Sequence, residues 1–328
     1  MFSYGKVNFL PDIGSFRHLY IFAFHHLSVM RYQRFIFASG TFLLFTIIMI
    51  IACKKETTTT PSTSVTPSGP QLVFIFKFDS TQVRLNNLGQ VDTMPAGHSG
   101  LSPIFNGMSS HYIELAQTAT TQLGNGDVLY RAPEVGSGSN LAIDFSKCTV
   151  VGQGQVFYSC PLSTVNAGSY QWLRVSLAYQ NYNIKWSAPT YNLYDLPGTV
   201  ASFIGFNTYV TSYKIKDSTV NVYANKAQGY WGFEDQYGVV TGQSKGTTVP
   251  NPIASSSPIP PGSCVVTGQF TTPFTVTGKE TKNDTIVVSL STNKSFEWKD
   301  ANGNGLYEPL NGDTVVDMGI RGLIPTVK

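Results

Sequence analysis

Beyond residue 70 no stretch of the chain sustains a helical apolar repeat over three turns, which argues against a helical body. Short runs of β-branched and aromatic residues instead alternate with clusters of Gly, Asn, Asp, Ser and Pro. The first run, Leu72-Val73-Phe74-Ile75-Phe76-Lys77-Phe78, suits the pleated surface of a strand. Farther on, Tyr170, Trp172, Arg174, Ser176 and Ala178 alternate with Gln171, Leu173, Val175, Leu177 and Tyr179, the two-residue period of a strand. Charged residues are scarce at 12% and aromatics plentiful at 13%, a balance that suits broad sheets carrying exposed Tyr and Asn. The expected fold class is all-β, with a β-sandwich-like body over residues 71–246.

A Pro/Ser tract from Thr247 to Ser263 reads as a linker or a long loop between sheet halves. Residues 264–328 hold three further apolar runs, beginning at Cys264, Asp284 and Ser295. So short a segment has little core of its own, so it is expected to pack on the first body as a small C-terminal β segment.

The N-terminal part has a different character. Arg31 and Arg34 precede an uncharged apolar run from Phe35 to Ala52, and Cys53 follows at once. A basic start, an apolar stretch and a small residue before the cleavage point make a secretory signal over residues 1–52. Met30 can itself begin a compact signal, which makes residues 1–29 an over-extended start. The run is also at the lower limit for a bilayer-spanning helix. Ile50-Ile51-Ala52-Cys53 resembles the lipobox of bacterial lipoproteins. That resemblance implies that Cys53 is acylated and becomes the new N-terminus. Residues 57–70 are almost entirely Thr, Ser, Pro and Gly, so residues 53–70 read as a lipidated cysteine followed by a disordered tether. Signal, tether and aromatic β body together resemble outer-membrane lipoproteins of Bacteroidota-type bacteria. The resemblance implies an outer-membrane location, a membrane anchor with two or more acyl chains, and glycan or envelope-protein partners.

Removing residues 1–52 takes away Lys6, Arg17, Arg31, Arg34 and Asp12, and leaves 18 basic and 18 acidic residues. The net charge of +3 belongs to the signal, so no nucleic-acid partner is expected. With Cys53 assigned to lipid, Cys148, Cys160 and Cys264 remain. Cys148 and Cys160 flank a segment that reads as a hairpin, so they are a candidate disulfide in an oxidising compartment.

The sharpest local motif is Asp300-Ala-Asn302-Gly-Asn304-Gly305-Leu306-Tyr-Glu308-Pro-Leu-Asn311-Gly-Asp313. Alternating oxygen side chains with glycine at the sixth position resemble the first half of an EF-hand-type calcium loop. On that resemblance Asp300, Asn302 and Asn304 ligate Ca²⁺ by side chain, Leu306 by its carbonyl and Glu308 through water. The twelfth position, where a bidentate Glu belongs, is Asn311, so Asp313 or Glu308 must supply the missing carboxylate. A plain Asn-Gly turn is the alternative.

His98 and His111 are the only histidines beyond the signal, a candidate copper or zinc pair. Trp172, Tyr179, Tyr182, Trp186, Tyr191 and Tyr194 crowd one region with Asn181, Asn183 and Asn192 between them, and Trp172, Tyr182, Trp186 and Tyr191 are the candidate ligand-binding rings. Aromatic rings beside amides suit sugar stacking or a protein interface, although core packing is the commoner fate of such rings. There is no nucleophile elbow, zinc-protease signature or phosphate-binding loop. A glycosidase needs only two carboxylates at a set separation, and Glu114, Glu134, Glu234 and Asp235 are available without any pair standing out. The expected function is non-catalytic: a lipid-anchored envelope module that binds a glycan or protein and carries a structural Ca²⁺ loop. A periplasmic copper-binding lipoprotein and a glycan hydrolase are the alternatives.

Overall fold

The structure, a computed structural model, describes residues 69–328 except 87–88, 119–120, 245–259 and 261. The signal, Cys53 and all but the last two residues of the tether lie outside the described residues, as does most of the Pro/Ser tract.

Eighteen strands are described. They are β1 (Gln71–Asp79), β2 (His98–Leu101), β3 (Ile104–Ala116), β4 (Asp127–Arg131), β5 (Glu134–Val135) and β6 (Ala142–Asp144). Then follow β7 (Val156–Pro161), β8 (Gly168–Ala188), β9 (Leu193–Phe203), β10 (Asn207–Lys214), β11 (Thr219–Ala227) and β12 (Tyr230–Asp235). The last are β13 (Gly238–Gln243), β14 (Cys264–Val276), β15 (Asp284–Ser291), β16 (Phe296–Lys299), β17 (Thr314–Asp317) and β18 (Leu323–Val327). Among the described residues there is no α-helix, and the fold is all-β as expected.

The organising element is β8. Along one edge it pairs with β3, and along the other its first half pairs with β14 and its second half with β9. The resulting seven-stranded sheet runs β13-β12-β9-β8-β3-β4, with β14 joined to β8. A four-stranded sheet, β18-β15-β1-β7, contributes to the main core opposite it. In that core Phe74, Phe76 and Val288 share one cluster with Ile113, Val175 and Leu177. A second four-stranded sheet, β11-β10-β6-β5, adds another layer, in which Val210 and Tyr213 pack with Ala201, Phe203 and Tyr230. The small sheet β17-β16-β2 completes the body.

The two-residue period of β8 holds: Leu173, Val175 and Leu177 enter the main core, and Arg174 and Ser176 occupy the other face. Because that other face is also covered, Arg174 and Ser176 are buried as well.

Residues 264–328 are woven into the body. β14 lies along β8, and β15 pairs in parallel with β1, from Leu72↔Asp284 to Asp79↔Ser291. The start and the end of the described chain thus build the same sheet, which local sequence cannot indicate.

Candidate functional site

One end of the seven-stranded sheet collects most of the features singled out in the sequence. There β8 ends, β9 begins, and β12 turns into β13. The β8–β9 connection is a 3-10 turn, Pro189–Tyr191, closed by Asn192 in the left-handed region at φ 55°. Asn tolerates that conformation better than most residues. Tyr191 is 60% exposed and Tyr194 is 55% exposed, and Tyr237, in the β12–β13 turn, is 49% exposed. Tyr237 stands edge-on to the buried ring of Trp186 with centroids 6.3 Å apart.

The aromatic group expected from sequence is thereby corrected. Tyr182 (0% exposed), Trp186 (3%) and Tyr179 belong to the interior, Trp172 is half-buried, and only Tyr191 and Tyr194 of the group are on the surface. The reason is the position of β8, whose neighbours on both edges and layers on both faces leave no side of its centre open to solvent. Tyr237, outside that group in sequence, joins the two exposed rings.

The Asp300–Asp313 loop is joined to this end: the Ser187 N–H donates to the Tyr307 carbonyl at 2.8 Å, and Thr190 Oγ1 lies 3.5 Å from Asn311 Oδ1. Inside the loop, Asp300 accepts from the backbone N–H of Gly303 (2.8 Å) and Gly305 (2.7 Å) and from the Ser99 hydroxyl (2.8 Å). Asn302 Oδ1 accepts from Asn304 N–H, and Asn304 Oδ1 from Leu306 N–H. Gly303 and Gly305 have φ near +71° and +77°, a conformation that favours glycine. Glu308, almost fully buried, sits at the centre and receives the side-chain amides of Asn302 (2.7 Å), Asn304 (3.0 Å) and Asn311 (3.1 Å). Burial pushes its carboxyl up, and the three amide donors outweigh that and hold it below the ordinary range. Asp313 closes the loop by accepting Ala301 N–H (2.9 Å) and Glu308 N–H (2.7 Å). Burial, then the Asp300 and Glu308 charges, raise the Asp313 carboxyl.

Of the two acids that could replace the missing twelfth-position Glu, Glu308 is thus the inner one and Asp313 the clamp. The donor set fits a hard cation in kind, because each amide can turn over and present its oxygen. Among the described residues, however, no cluster of three or more His, Cys, Asp or Glu is placed to hold a metal.

The two histidines do not form a shared site. His98 is on β2 and places Nδ1 2.6 Å from Glu297 Oε1, while His111 is on β3 and places Nε2 2.8 Å from Glu134 Oε1. Each ring has its own carboxylate in a different sheet. Glu297 also accepts from Arg84 (2.5 Å) and Arg321 (2.6 Å), and Arg321 reaches Asp317 at 3.0 Å. Burial pushes Glu297 up, but His98, Arg84 and Arg321 outweigh it and hold the carboxyl low. Burial dominates at Asp317, which is raised to about 6 despite Arg321. Nothing in the spacing of residues 84, 98, 297, 317 and 321 signals this buried ionic knot.

The candidate bridge is also corrected: Cys148 and Cys160 are both free thiols. The segment between them is not a hairpin. Cys148 ends a 3-10 turn, Val151 bridges to Met108, and Cys160 pairs with Leu72 of β1. Burial raises the Cys148 thiol to about 11.

The four acids weighed for hydrolysis are held separately. Glu114 binds the Gly124 and Gly126 amides, and Glu134 binds His111. Glu234 caps the Lys216, Asp217 and Ser218 amides, and Asp235 accepts from Tyr237 N–H.

At the far end of β3, β4 and β8 the structure adds a feature without a sequence signal. A cleft of about 190 Å³ is lined by Gln117, Thr121, Asn125, Asp127, Asn166 and Tyr170, with Gly126 in its wall. No protein-family model matches the chain, and neither a curated protein nor a solved structure matches it.

Proposed function

We propose that the protein is a non-catalytic, lipid-anchored module of the bacterial outer membrane. In this reading it is held to the membrane by acylated Cys53 and a Thr/Ser/Pro tether, and it binds glycan. The observation that carries the binding reading is the trio Tyr191, Tyr194 and Tyr237, each about half or more exposed, in the β8–β9 turn, at the start of β9 and in the β12–β13 turn at one end of the sheet. A soluble surface has no packing reason to hold three tyrosines there, whereas a pyranose ring stacks on an aromatic face and pairs its hydroxyls with nearby amides. Asn192 follows Tyr191 in the chain, and Asn311 Oδ1 lies 3.5 Å from Thr190 Oγ1, one residue before Tyr191. The Asp300–Asp313 loop is proposed to bind Ca²⁺ through Asp300, Asn302, Asn304, Leu306 and Glu308, with Asp313 as its clamp. Its role is structural, since it shapes the end on which the tyrosines sit.

The test uses the full-length protein extracted from membranes and applied to a glycan array. Binding to one class of oligosaccharide is expected, and a Tyr191→Ala/Tyr194→Ala/Tyr237→Ala variant should lose it while keeping the wild-type melting curve. Wild-type binding to no glycan, or unchanged binding by the triple variant, would remove the reading. Cys53→Ser tests the anchor independently: the processed variant should leave the membrane fraction, and retention there would contradict lipidation.

A further inference from the structure

The cleft at the opposite end of the seven-stranded sheet is built more firmly than a surface depression requires. One wall is the loop ending at Asp127, and its shape is set from beneath by Glu114, which is fully buried. Glu114 accepts N–H from Gly124 at 3.0 and 3.1 Å and from Gly126 at 2.6 Å, and Arg174, also buried, lies 3.9 Å away. Gly126 has no room for a side chain, since a Cβ would stand 2.3 Å from the Leu115 carbonyl oxygen and 2.7 Å from Glu114 Oε1. Burying a carboxylate to hold two loop amides is costly in solvation, and its effect is a rigid wall.

The opposite wall is pinned across the cleft. Asp127 Oδ2 accepts the Asn166 N–H at 2.7 Å, and the Tyr170 hydroxyl donates to the Asn166 carbonyl at 2.6 Å. Several polar groups of the lining are left over. Among the described residues, Asp127 Oδ1, the Asn166 side-chain amide, the Gln117 amide and Asn125 Oδ1 take part in no hydrogen bond. Among the described residues the lining includes no basic side chain and one carboxylate, which disfavours an anion. Its volume of about 190 Å³ corresponds to about six waters at roughly 30 Å³ each, far more than a bare cation fills. A hexopyranose carries six oxygens, each able to accept a hydrogen bond and most able to donate one. Carboxylate and amide groups are planar and two-pronged, and suit adjacent hydroxyls.

We propose that this cleft binds a single pyranose residue, with Gln117, Asp127 and Asn166 as its hydrogen-bonding groups. It is a second sugar subsite, remote from the tyrosine-bearing end, and it rests on the glycan-binding reading only for the class of ligand. A preformed site keeps the ordering cost of binding low.

The experiment titrates full-length protein with methyl glycosides of glucose, galactose, mannose and N-acetylglucosamine, by calorimetry and ligand-observed NMR. At least one should bind saturably. Asp127→Asn and Gln117→Ala should each weaken it by about tenfold, the loss expected for one good hydrogen bond. Tyr191→Ala/Tyr237→Ala should leave it unchanged. Gln117 is exposed, and among the described residues its side chain takes part in no hydrogen bond, so its variant carries the test if Asp127→Asn disturbs the Asn166 wall. Failure of all four glycosides to bind would overturn the cleft, whatever the tyrosine end does with longer glycans. Monosaccharide binding that responds to the tyrosine variant and not to Gln117→Ala would also overturn it, and would assign the sugar to the other end.

Discussion

The backbone N–H of Ser187 donates to the carbonyl of Tyr307 at 2.8 Å, across 120 residues of chain. This bond joins the last turn of β8 to the loop between Asp300 and Asp313. The shape of that loop and the placement of Tyr191 and Tyr194 are therefore linked, and a change in one is expected to be read in the other.

Calcium supplies the first prediction. In the full-length protein, millimolar Ca²⁺ is expected to raise the thermal midpoint relative to chelator, by about 2.7 kcal/mol of stability at a hundredfold excess over Kd. Asp300→Ala and Glu308→Gln should both abolish the shift. Equal midpoints in calcium and chelator for the wild type would dismiss the metal.

The Glu297 knot supplies the second. Glu297→Gln leaves buried Arg84 and half-buried Arg321 beside a neutral group. Removal of one member of a buried ion pair costs about 3 kcal/mol or more. Urea unfolding should show a lower midpoint of that size, and a loss below about 1 kcal/mol would mean that solvent reaches the cluster.

Asp317 gives the pH dependence. Its carboxyl is raised from 3.8 to about 6, so the folded state binds its proton more tightly than the unfolded state. The associated stability is fully present below pH 4 and is lost as pH rises through 6. Glu297, held low, works in the opposite sense and loses its contribution as pH falls. Comparison with Asp317→Asn isolates the first effect. Wild-type stability relative to that variant should fall by on the order of 3 kcal/mol between pH 4 and 7. A flat or rising difference in urea titrations would show that Asp317 is not raised.

Gly126→Ala should be felt through Glu114. The added Cβ meets Leu115 O and Glu114 Oε1, so the carboxylate must give up an amide or the loop must shift. A loss of about 2 kcal/mol is expected, with faster hydrogen exchange at Gly124 and Gly126. Unchanged exchange at both amides would show that the loop does not depend on Glu114.

The thiols give the last. Alkylation of unfolded protein without reductant should label both Cys148 and Cys160, and a mass two units short at that pair would reveal a bridge.

Strand by strand, the fold class was legible from local sequence because a pleated strand needs only alternation and β-branched or aromatic side chains. The Asx/Gly loop was legible for a similar reason: Asp300, Asn302, Asn304 and Gly305 bond to one another's backbones within a few residues. The burial of Tyr182 and Trp186 was not legible. It depends on β10 to β13 and β15 to β17 covering a strand that reads, by itself, as half exposed. The same holds for Cys148 and Cys160, which are close in sequence and drawn to different partners.

The sequence by itself determined the all-β class, the self-bonded loop at residues 300–313 and the expectation of a lipid-anchored N-terminus, all of which follow from neighbours in the chain. Tertiary structure alone decided which aromatics reach solvent, that His98 and His111 serve separate carboxylates, that Glu308 is the inner acid of the loop, and that a polar cleft forms at Asp127. These depend on pairings such as β1 with β15, which joins segments more than 200 residues apart. No local pattern encodes a partner at that distance; burial and hydrogen-bond satisfaction over the whole body select it.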